Sequence, residues 1–229
     1  MPQISTCCKC IDEAIGGGIN HETIMLVYGE PETGKSTFAM QCAVACAMQK
    51  QKVLYVDCDN TFSAKRLSQL AGECFDEVAD RIVLVKPKDF REQTAFIEHI
   101  DDYAVNVGLI IIDTFTSLYS AKAAESPKAF SANRELNRHL AILAQAVKTK
   151  KIPLLLTSQV RSVVTEQSDS VRPVATRVLK FWADIIFFFK PAEISPTIKV
   201  TIEKAPQITL PLVCYIQIGE GGIRDTQLR

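Results

Sequence analysis

Eight consecutive residues, Gly29-Glu30-Pro31-Glu32-Thr33-Gly34-Lys35-Ser36, have the types and the spacing of a phosphate-binding loop. They match G-x-x-x-x-G-K-[ST] at every fixed position. Gly34 lets the backbone approach phosphate oxygens, which Lys35 would neutralise as a point charge, and the Ser36 hydroxyl is suited to Mg²⁺. The residues predicted to bind the phosphates are Gly29, Glu30, Pro31, Glu32, Thr33, Gly34, Lys35, Ser36 and Thr37.

Three aspartates follow apolar runs that read as buried strands. Asp113 comes directly after Leu109-Ile110-Ile111-Ile112, and Asp57 and Asp59 come after another such run. Ligands of open α/β sheets bind at the carboxyl ends of the strands. We therefore expect Asp113 to hold Mg²⁺ together with Ser36, and Asp57 or Asp59 to orient the attacking water.

Gln159 closes the polar sequence Thr157-Ser158-Gln159, which ends a further predicted strand. At the same edge of the sheet its amide could hydrogen-bond a γ-phosphate and report it to the segment that follows. A polar residue with no other role at the end of a strand is the alternative.

The elements that must position these residues alternate between apolar strands and amphipathic helices, which indicates an α/β fold. The first strand leads into the glycine-rich loop, and a helix follows it. The last three strands have no room for crossover helices and are expected to pair antiparallel at the C-terminal edge of the sheet. The strands are predicted at 24–28, 53–56, 82–85, 109–112, 154–157, 185–189, 198–202 and 212–218, and the longer helices at 89–103 and 132–150.

The 229 residues carry 26 Lys and Arg against 26 Asp and Glu, with 47% hydrophobic residues. This composition excludes a disordered or collagen-like chain. The length fits one large α/β domain or two small ones, and because no linker divides the chain we expect one domain over residues 1–229. The longest apolar stretches are far too short to span a membrane. The first residues of the sequence do not form an apolar signal segment, so we expect a cytoplasmic protein.

All eight cysteines are accordingly expected to be reduced thiols. The cluster Cys7-Cys8-Lys9-Cys10 could pair with Cys42 and Cys46 in a zinc site, but the latter two lie one turn apart in an alanine-rich predicted helix. Small buried or exposed thiols are the favoured interpretation.

The motifs occur in an order that resembles the RecA/RadA recombinase family and covers nearly the whole chain. Within that family the chain most resembles the short archaeal RadA paralogues of the RadB group, which have no helix-hairpin-helix domain before the core. Beside the glycine-rich loop, the motifs are Ser5-Thr6-Cys7-Cys8-Lys9 with Gly16-Gly17-Gly18-Ile19, Tyr55-Val56-Asp57-Cys58-Asp59 with Thr61-Phe62 and Lys65-Arg66-Leu67, Ile112-Asp113-Thr114-Phe115-Thr116-Ser117-Leu118-Tyr119, and Thr157-Ser158-Gln159-Val160.

The resemblance implies a RecA-like core that binds ATP, Mg²⁺ held by Ser36 and Asp113, and Gln159 as a sensor of the γ-phosphate. It places the catalytic carboxylate on Asp59, where the family usually has glutamate. Aspartate is shorter by one methylene, and a displacement of about 1 Å can lower a rate by roughly 100-fold. We therefore expect slow ATP hydrolysis and no strand exchange.

Two segments correspond to the family's DNA-facing loops, about 120–133 and 161–172. Residues 120–151 carry a net charge of +5 and residues 161–180 of +2, so the remainder carries −7. A basic region in a neutral chain suits contacts with a phosphate backbone, whereas a solvated helix face is the alternative. The residues expected to contact DNA are Lys122, Lys128, Arg134, Arg161 and Arg172.

Aromatic residues near these segments are few: Phe130 in the first, and Phe181 and Trp182 after the second. We expect salt-sensitive and weakly sequence-selective binding to single-stranded or branched DNA. Trp182 and the run Phe187-Phe188-Phe189 are interpreted as core residues at a sheet edge.

The sequence thus favours an ATP-binding accessory protein of recombination and repair. A RecA-fold signalling ATPase of the circadian-clock type without DNA, and an interaction module with ATP as a structural ligand, are the alternatives. A RadA-like recombinase, a junction nuclease and a second copy of the chain are the candidate protein partners.

Overall fold

Strands and helices alternate through most of the computed structural model, which describes residues 2–125, 129–165, 168–173, 175–194, 196–206 and 211–226. The strands are β1 (Ile24–Gly29), β2 (Lys52–Asp57), β3 (Ile82–Val85), β4 (Val107–Asp113), β5 (Leu154–Thr165), β6 (Ser168–Pro173), β7 (Ile185–Pro191), β8 (Thr197–Lys204), β9 (Leu212–Gly219) and β10 (Gly222–Asp225). The α-helices are α1 (Lys9–Ala14), α2 (Lys35–Met48), α3 (Ala64–Ala71), α4 (Phe75–Ala79), α5 (Phe90–Glu98), α6 (Ile100–Tyr103), α7 (Ser117–Glu125), α8 (Ala129–Lys150) and α9 (Thr176–Trp182).

The described strands form one sheet in the order β10-β9-β8-β7-β1-β5-β4-β2-β3, and β6 pairs with β5 beside that path. From β7 to β3 every neighbouring pair is parallel, whereas β7, β8, β9 and β10 pair antiparallel. The predicted parallel sheet with antiparallel strands at its C-terminal side is confirmed. The triple-phenylalanine run nevertheless lies on β7, inside the sheet, so its predicted place at a sheet edge is wrong.

The register of the parallel strands brings their carboxyl ends together. Gly29 at the end of β1 lies opposite Gln159 on β5 and Phe189 on β7. Asp57 at the end of β2 lies opposite Asp113 at the end of β4. The predicted site residues therefore meet at one edge of the sheet.

Both faces of the sheet are covered, which explains why its central strands are apolar without alternation. On β1, Leu26 packs into the core beneath α5, α7 and α8, whereas Val27 packs into the core that contains α1 and α2. Ala39, Cys42 and Ala43 are buried on α2. Such small side chains let the helix lie close to the strands.

Two elements differ from the predictions. The helix expected over 89–103 is divided into α5 and α6 around His99. The polar segment expected to lack regular structure at 161–172 is largely a β-hairpin, since Arg161 to Thr165 pair with Ser168 to Arg172. β-Branched residues such as Val163 and Val164 favour strands, but pairing with a second strand is a contact that local periodicity does not show.

The amino-terminal segment is fixed to the C-terminal strands. Asp225 on β10 accepts hydrogen bonds from the backbone N–H groups of Lys9 and Cys10, at 2.6 and 3.2 Å. Cys10 and Cys214 form a disulfide between α1 and β9, with Cα atoms 6.0 Å apart. The expectation that all cysteines are free thiols is therefore wrong for this pair, because tertiary packing joins residues 204 positions apart.

The other cysteines are free thiols. Burial raises the pKa of Cys8 and of Cys46 to about 12, so both are protonated and unreactive at neutral pH. Cys10 is bonded to Cys214 and is not available as a zinc ligand, and the described ranges contain no group of three His, Cys, Asp or Glu side chains placed to hold a metal ion. Across these same ranges, no helix is both long and apolar enough to cross a bilayer.

The disulfide gives a test of the stability of this arrangement. Reduction should lower the free energy of unfolding by about 2 to 4 kcal/mol, since it releases a long loop in the unfolded chain. Urea unfolding with and without dithiothreitol measures the difference. Cys10→Ser should abolish the response to reductant. Cys7→Ser, at an exposed free cysteine, should keep the response. Eight thiols that can be alkylated in the denatured, unreduced protein would contradict the pairing of Cys10 with Cys214.

A buried histidine should make stability depend on pH. His139 on α8 has its Nε2 2.9 Å from the Thr94 hydroxyl, and its Nδ1 has no hydrogen-bond partner among the described residues. Burial lowers its pKa from 6.5 to about 4, against the opposing charge of Glu135. As the pH falls, His139 is protonated in the unfolded chain before it is protonated in the folded protein. The contribution of neutral His139 to the free energy of unfolding is therefore present above pH 6.5 and is lost as the pH falls towards 4.

We expect this loss to reach about 3 kcal/mol. Urea titrations at pH 7 and pH 5 should show a smaller pH dependence in His139→Asn than in the unsubstituted protein. Equal dependence in the two proteins would contradict a neutral, buried His139.

Candidate functional site

The glycine-rich loop connects β1 to α2 at the centre of the sheet. Gly34 is the amino-terminal cap of α2 and has a φ of +85°, a conformation that glycine adopts without strain. The loop is also internally bonded, because the Thr33 hydroxyl and the Lys35 ammonium both donate to the Glu30 carbonyl oxygen, at 2.8 and 2.6 Å. The amino end of α2 and its unpaired N–H groups thus face an organised loop.

Neighbouring strands pack tightly against this loop. A Cβ atom at Gly29 would lie 2.1 Å from the carbonyl oxygen of Phe189 on β7, and one at Gly34 would lie 2.4 Å from Cδ1 of Ile218 on β9. Packing against backbone therefore requires glycine at position 29, whereas the positive φ favours glycine at position 34.

Asp113 lies at the end of β4 and is 2% exposed. Its two carboxylate oxygens accept hydrogen bonds from the Tyr55 hydroxyl at 2.7 Å and from the Thr157 hydroxyl at 2.5 Å. Burial raises the pKa of Asp113, while hydrogen bonds from Thr157, Tyr55 and Ser36 act in the opposite direction. The structure therefore brings the two predicted magnesium ligands, Ser36 and Asp113, into contact.

The two aspartates after β2 have different surroundings. Asp57 is buried and accepts hydrogen bonds from the backbone N–H groups of Thr61 and Phe62, both at 3.0 Å. Lys86 lies 3.4 Å from the same carboxylate. Asp57 thus closes the turn after β2. Asp59 is half-buried, and its charge acts on the ammonium of Lys35.

The electrostatics of Lys35 support this arrangement. Burial lowers the pKa of the Lys35 ammonium, and the charges of Asp113, Asp59 and Glu30 act to raise it. A serine hydroxyl beside a strand-end carboxylate offers the oxygen ligands that Mg²⁺ prefers, and the Lys35 ammonium offers a positive charge for phosphate oxygens. The residues present therefore fit Mg²⁺ bound through Ser36 and Asp113.

Gln159 is exposed and lies beside Gly29 in the β1 and β5 register. The two residues before it are buried: Thr157 bonds Asp113, and the Ser158 hydroxyl lies 3.0 Å from that of Thr116. The strand is thus held by hydrogen bonds up to Ser158, and the Gln159 side chain that follows is exposed.

The sequence did not single out the residues that orient the site. Tyr55 and Thr157 hold Asp113, and nothing in the spacing of a strand-interior tyrosine marks it for this role. Beside the loop, Tyr28 donates to Glu203 on β8 at 2.7 Å, and Lys180 on α9 lies 2.5 Å from the same carboxylate. These contacts join residues more than 20 positions apart in the chain.

The residues predicted to contact DNA have separate positions. Lys122 on α7 and Arg134 on α8 are exposed, and Lys128 lies outside the described residues. The structure therefore places most of the segment 120–133 in the ends of two helices. Arg161 and Arg172 lie directly opposite each other in the β5 and β6 hairpin.

Comparisons with known proteins agree with this geometry. The sequence profile of the Rad51 family matches residues 1–226. The DNA repair and recombination protein RadB of Methanoculleus marisnigri is 35% identical over 162 residues, which cover 69% of this chain and 70% of that protein. The protein of the same name from Methanococcus maripaludis strain C7 is 29% identical over 195 residues, covering 85% and 87%. A crystal structure of the RadB recombinase aligns with a TM-score of 0.82 at 28% identity and covers 98% of this chain and 100% of the other.

Proposed function

The chain belongs to the Rad51 family, and we propose that it is an ATP-binding and DNA-binding accessory protein of homologous recombination and DNA repair that hydrolyses ATP slowly. The resemblance to RadB-type recombinase paralogues is confirmed. The observation that supports ATP binding is the convergence of Lys35, Ser36, Asp59 and Asp113 at one edge of the sheet. The comparisons do not favour a signalling ATPase of the circadian-clock type.

Binding of the nucleotide rests on the loop and on α2. The Lys35 ammonium, which donates to the Glu30 carbonyl oxygen, would exchange that partner for phosphate oxygens. The backbone N–H groups at the start of α2 would hold the remaining phosphate charge. Ser36 and Asp113 would hold Mg²⁺, which supplies neutralisation of the charge on the phosphates.

Hydrolysis needs a carboxylate that orients water, and Asp59 is the strand-end group available for it. Asp57 is already bonded to two backbone N–H groups and to Lys86, so its oxygens have partners. Asp59 acts electrostatically on both Lys35 and Asp113. Its shorter side chain, where the family usually has glutamate, supports a slow reaction.

Gln159 would hydrogen-bond the γ-phosphate. It lies beside Gly29, and β5 continues from it without a break into the hairpin that carries Arg161 and Arg172. A ligand bound by Gln159 would therefore contact the same strand that leads to the proposed DNA-binding surface.

Asp59→Glu tests the assignment of the catalytic carboxylate. The longer side chain should raise the steady-state ATPase rate, by up to about 100-fold, because it restores the reach of the water-orienting group. Asp80→Glu makes the same chemical change at an exposed carboxylate and should leave the rate unchanged. A rate that does not rise in Asp59→Glu would contradict the assignment.

Lys35→Ala accompanies this test, because it removes the ammonium that would hold the phosphates. Nucleotide binding measured by calorimetry should be lost. Retained binding would argue against the proposed site.

The DNA-binding surface is tested by the salt dependence of affinity. Arg161→Gln with Arg172→Gln should weaken binding to single-stranded DNA and reduce the slope of log affinity against log salt by about 1 to 2, since about 0.7 is lost for each phosphate contact. Lys50→Gln with Lys52→Gln removes the same charge at the opposite edge of the sheet and should have little effect. Fluorescence anisotropy across a salt series measures both, and equal slopes in the two variants would exclude the hairpin from the site.

A further inference from the structure

The short helix α9 carries an aromatic ring that is mostly exposed to solvent and is not part of the hydrophobic core. Phe181 is 75% exposed, the largest value among the exposed large hydrophobic residues of the described chain. Its neighbours are anchored: Leu179 is buried, and Trp182 donates from Nε1 to the Asn137 side chain on α8 at 2.9 Å. The helix is therefore fixed while this one ring faces solvent.

The helix that carries the ring is basic. Arg177 is exposed and precedes Phe181 by four residues, so both side chains lie on one face of α9 about one turn apart. The helix, Thr176–Trp182, contains no acidic residue. Its other cation, Lys180, is already paired with Glu203. An exposed guanidinium and an exposed aromatic ring thus share one face of α9.

This surface follows the proposed DNA-binding hairpin directly in the chain. Strand β6 ends at Pro173 and α9 begins at Thr176. The other exposed large hydrophobic residues lie on other elements, for example Met48 at the end of α2 and Val83 on β3. A single ring beside a cation is much smaller than the roughly 800 Å² per partner of a stable protein interface, but it matches one base and one phosphate.

We propose that Phe181 is a stacking platform for an unpaired base of single-stranded DNA and that Arg177 contacts a neighbouring phosphate. The inference rests on the proposed DNA-binding function. Phe181 would be the residue that distinguishes single-stranded DNA with unpaired bases from a phosphate backbone without bases. Phenylalanine has no polar group with which to read a base edge, so stacking here is tolerant of sequence.

Trp182 provides a direct readout. It is the only tryptophan of the chain, and its ring lies perpendicular to that of Phe181 with centroids 5.4 Å apart. A base stacked on Phe181 changes the surroundings of this indole, so intrinsic fluorescence should respond to oligo(dT) and not to an abasic oligonucleotide of the same length and charge.

The experiment compares the affinities of these two oligonucleotides for three variants. Phe181→Ala should weaken binding to oligo(dT) by about 5-fold to 100-fold, as expected for the loss of one stacked base, and should leave binding to the abasic oligonucleotide unchanged. Phe181→Tyr keeps the ring and should keep the affinity. Tyr103→Ala removes another exposed aromatic residue, on α6, and should change neither affinity.

The outcomes separate this inference from the function on which it rests. If the unsubstituted protein binds both oligonucleotides and Phe181→Ala weakens neither, or weakens both equally, stacking at Phe181 is overturned and DNA binding stands. If the unsubstituted protein binds neither oligonucleotide, both proposals fail. Thermal melting of Phe181→Ala checks that the variant is folded.

Discussion

Asp113 is a carboxylate removed from water. The hydrogen bonds that replace its lost hydration constrain much of the site. Burial favours the protonated form and raises the pKa of Asp113, and the hydrogen bonds from Thr157, Tyr55 and Ser36 oppose that shift by stabilising the anion. These donors come from β2, β5 and α2, while Asp113 itself ends β4. Three strands and helix α2 must therefore keep one relative position for the charge to be stabilised.

The position of α2 depends in turn on both ends of the chain. The buried amide of Gln41 on α2 donates to the Thr6 carbonyl at 2.9 Å and accepts from the Ile223 N–H at 2.7 Å. Ile218 packs directly against Gly34, and Arg66 on α3 donates to carbonyl oxygens of the β9 and β10 turn. Segments that carry no recognisable chemistry thus set the geometry of the loop that does.

Strand β5 joins the two halves of the proposed activity. Thr157 holds Asp113, Gln159 lies beside the glycine-rich loop, and the same strand continues to Thr165 in the hairpin with β6. The chain then continues into α9, where Lys180 donates hydrogen bonds to Glu203 and Tyr28. Tyr28 also donates to Glu203 and directly precedes the glycine-rich loop. The proposed nucleotide-binding and DNA-binding surfaces are therefore connected by a continuous strand and by a polar network.

The sequence determined the features that depend on local pattern. Unalternating apolar runs predicted parallel strands covered on both faces, and a motif of fixed spacing located Lys35 and Ser36, because strand, loop and helix are adjacent in the chain. Tertiary structure alone gave Asp113 its donors Tyr55 and Thr157, paired Cys10 with Cys214 and paired residues 161–165 with residues 168–172. Each of these features depends on which distant group hydrogen-bonds a carboxylate, bonds a thiol or pairs with a backbone N–H. The hydrophobic periodicity of the sequence carries no information about such partners.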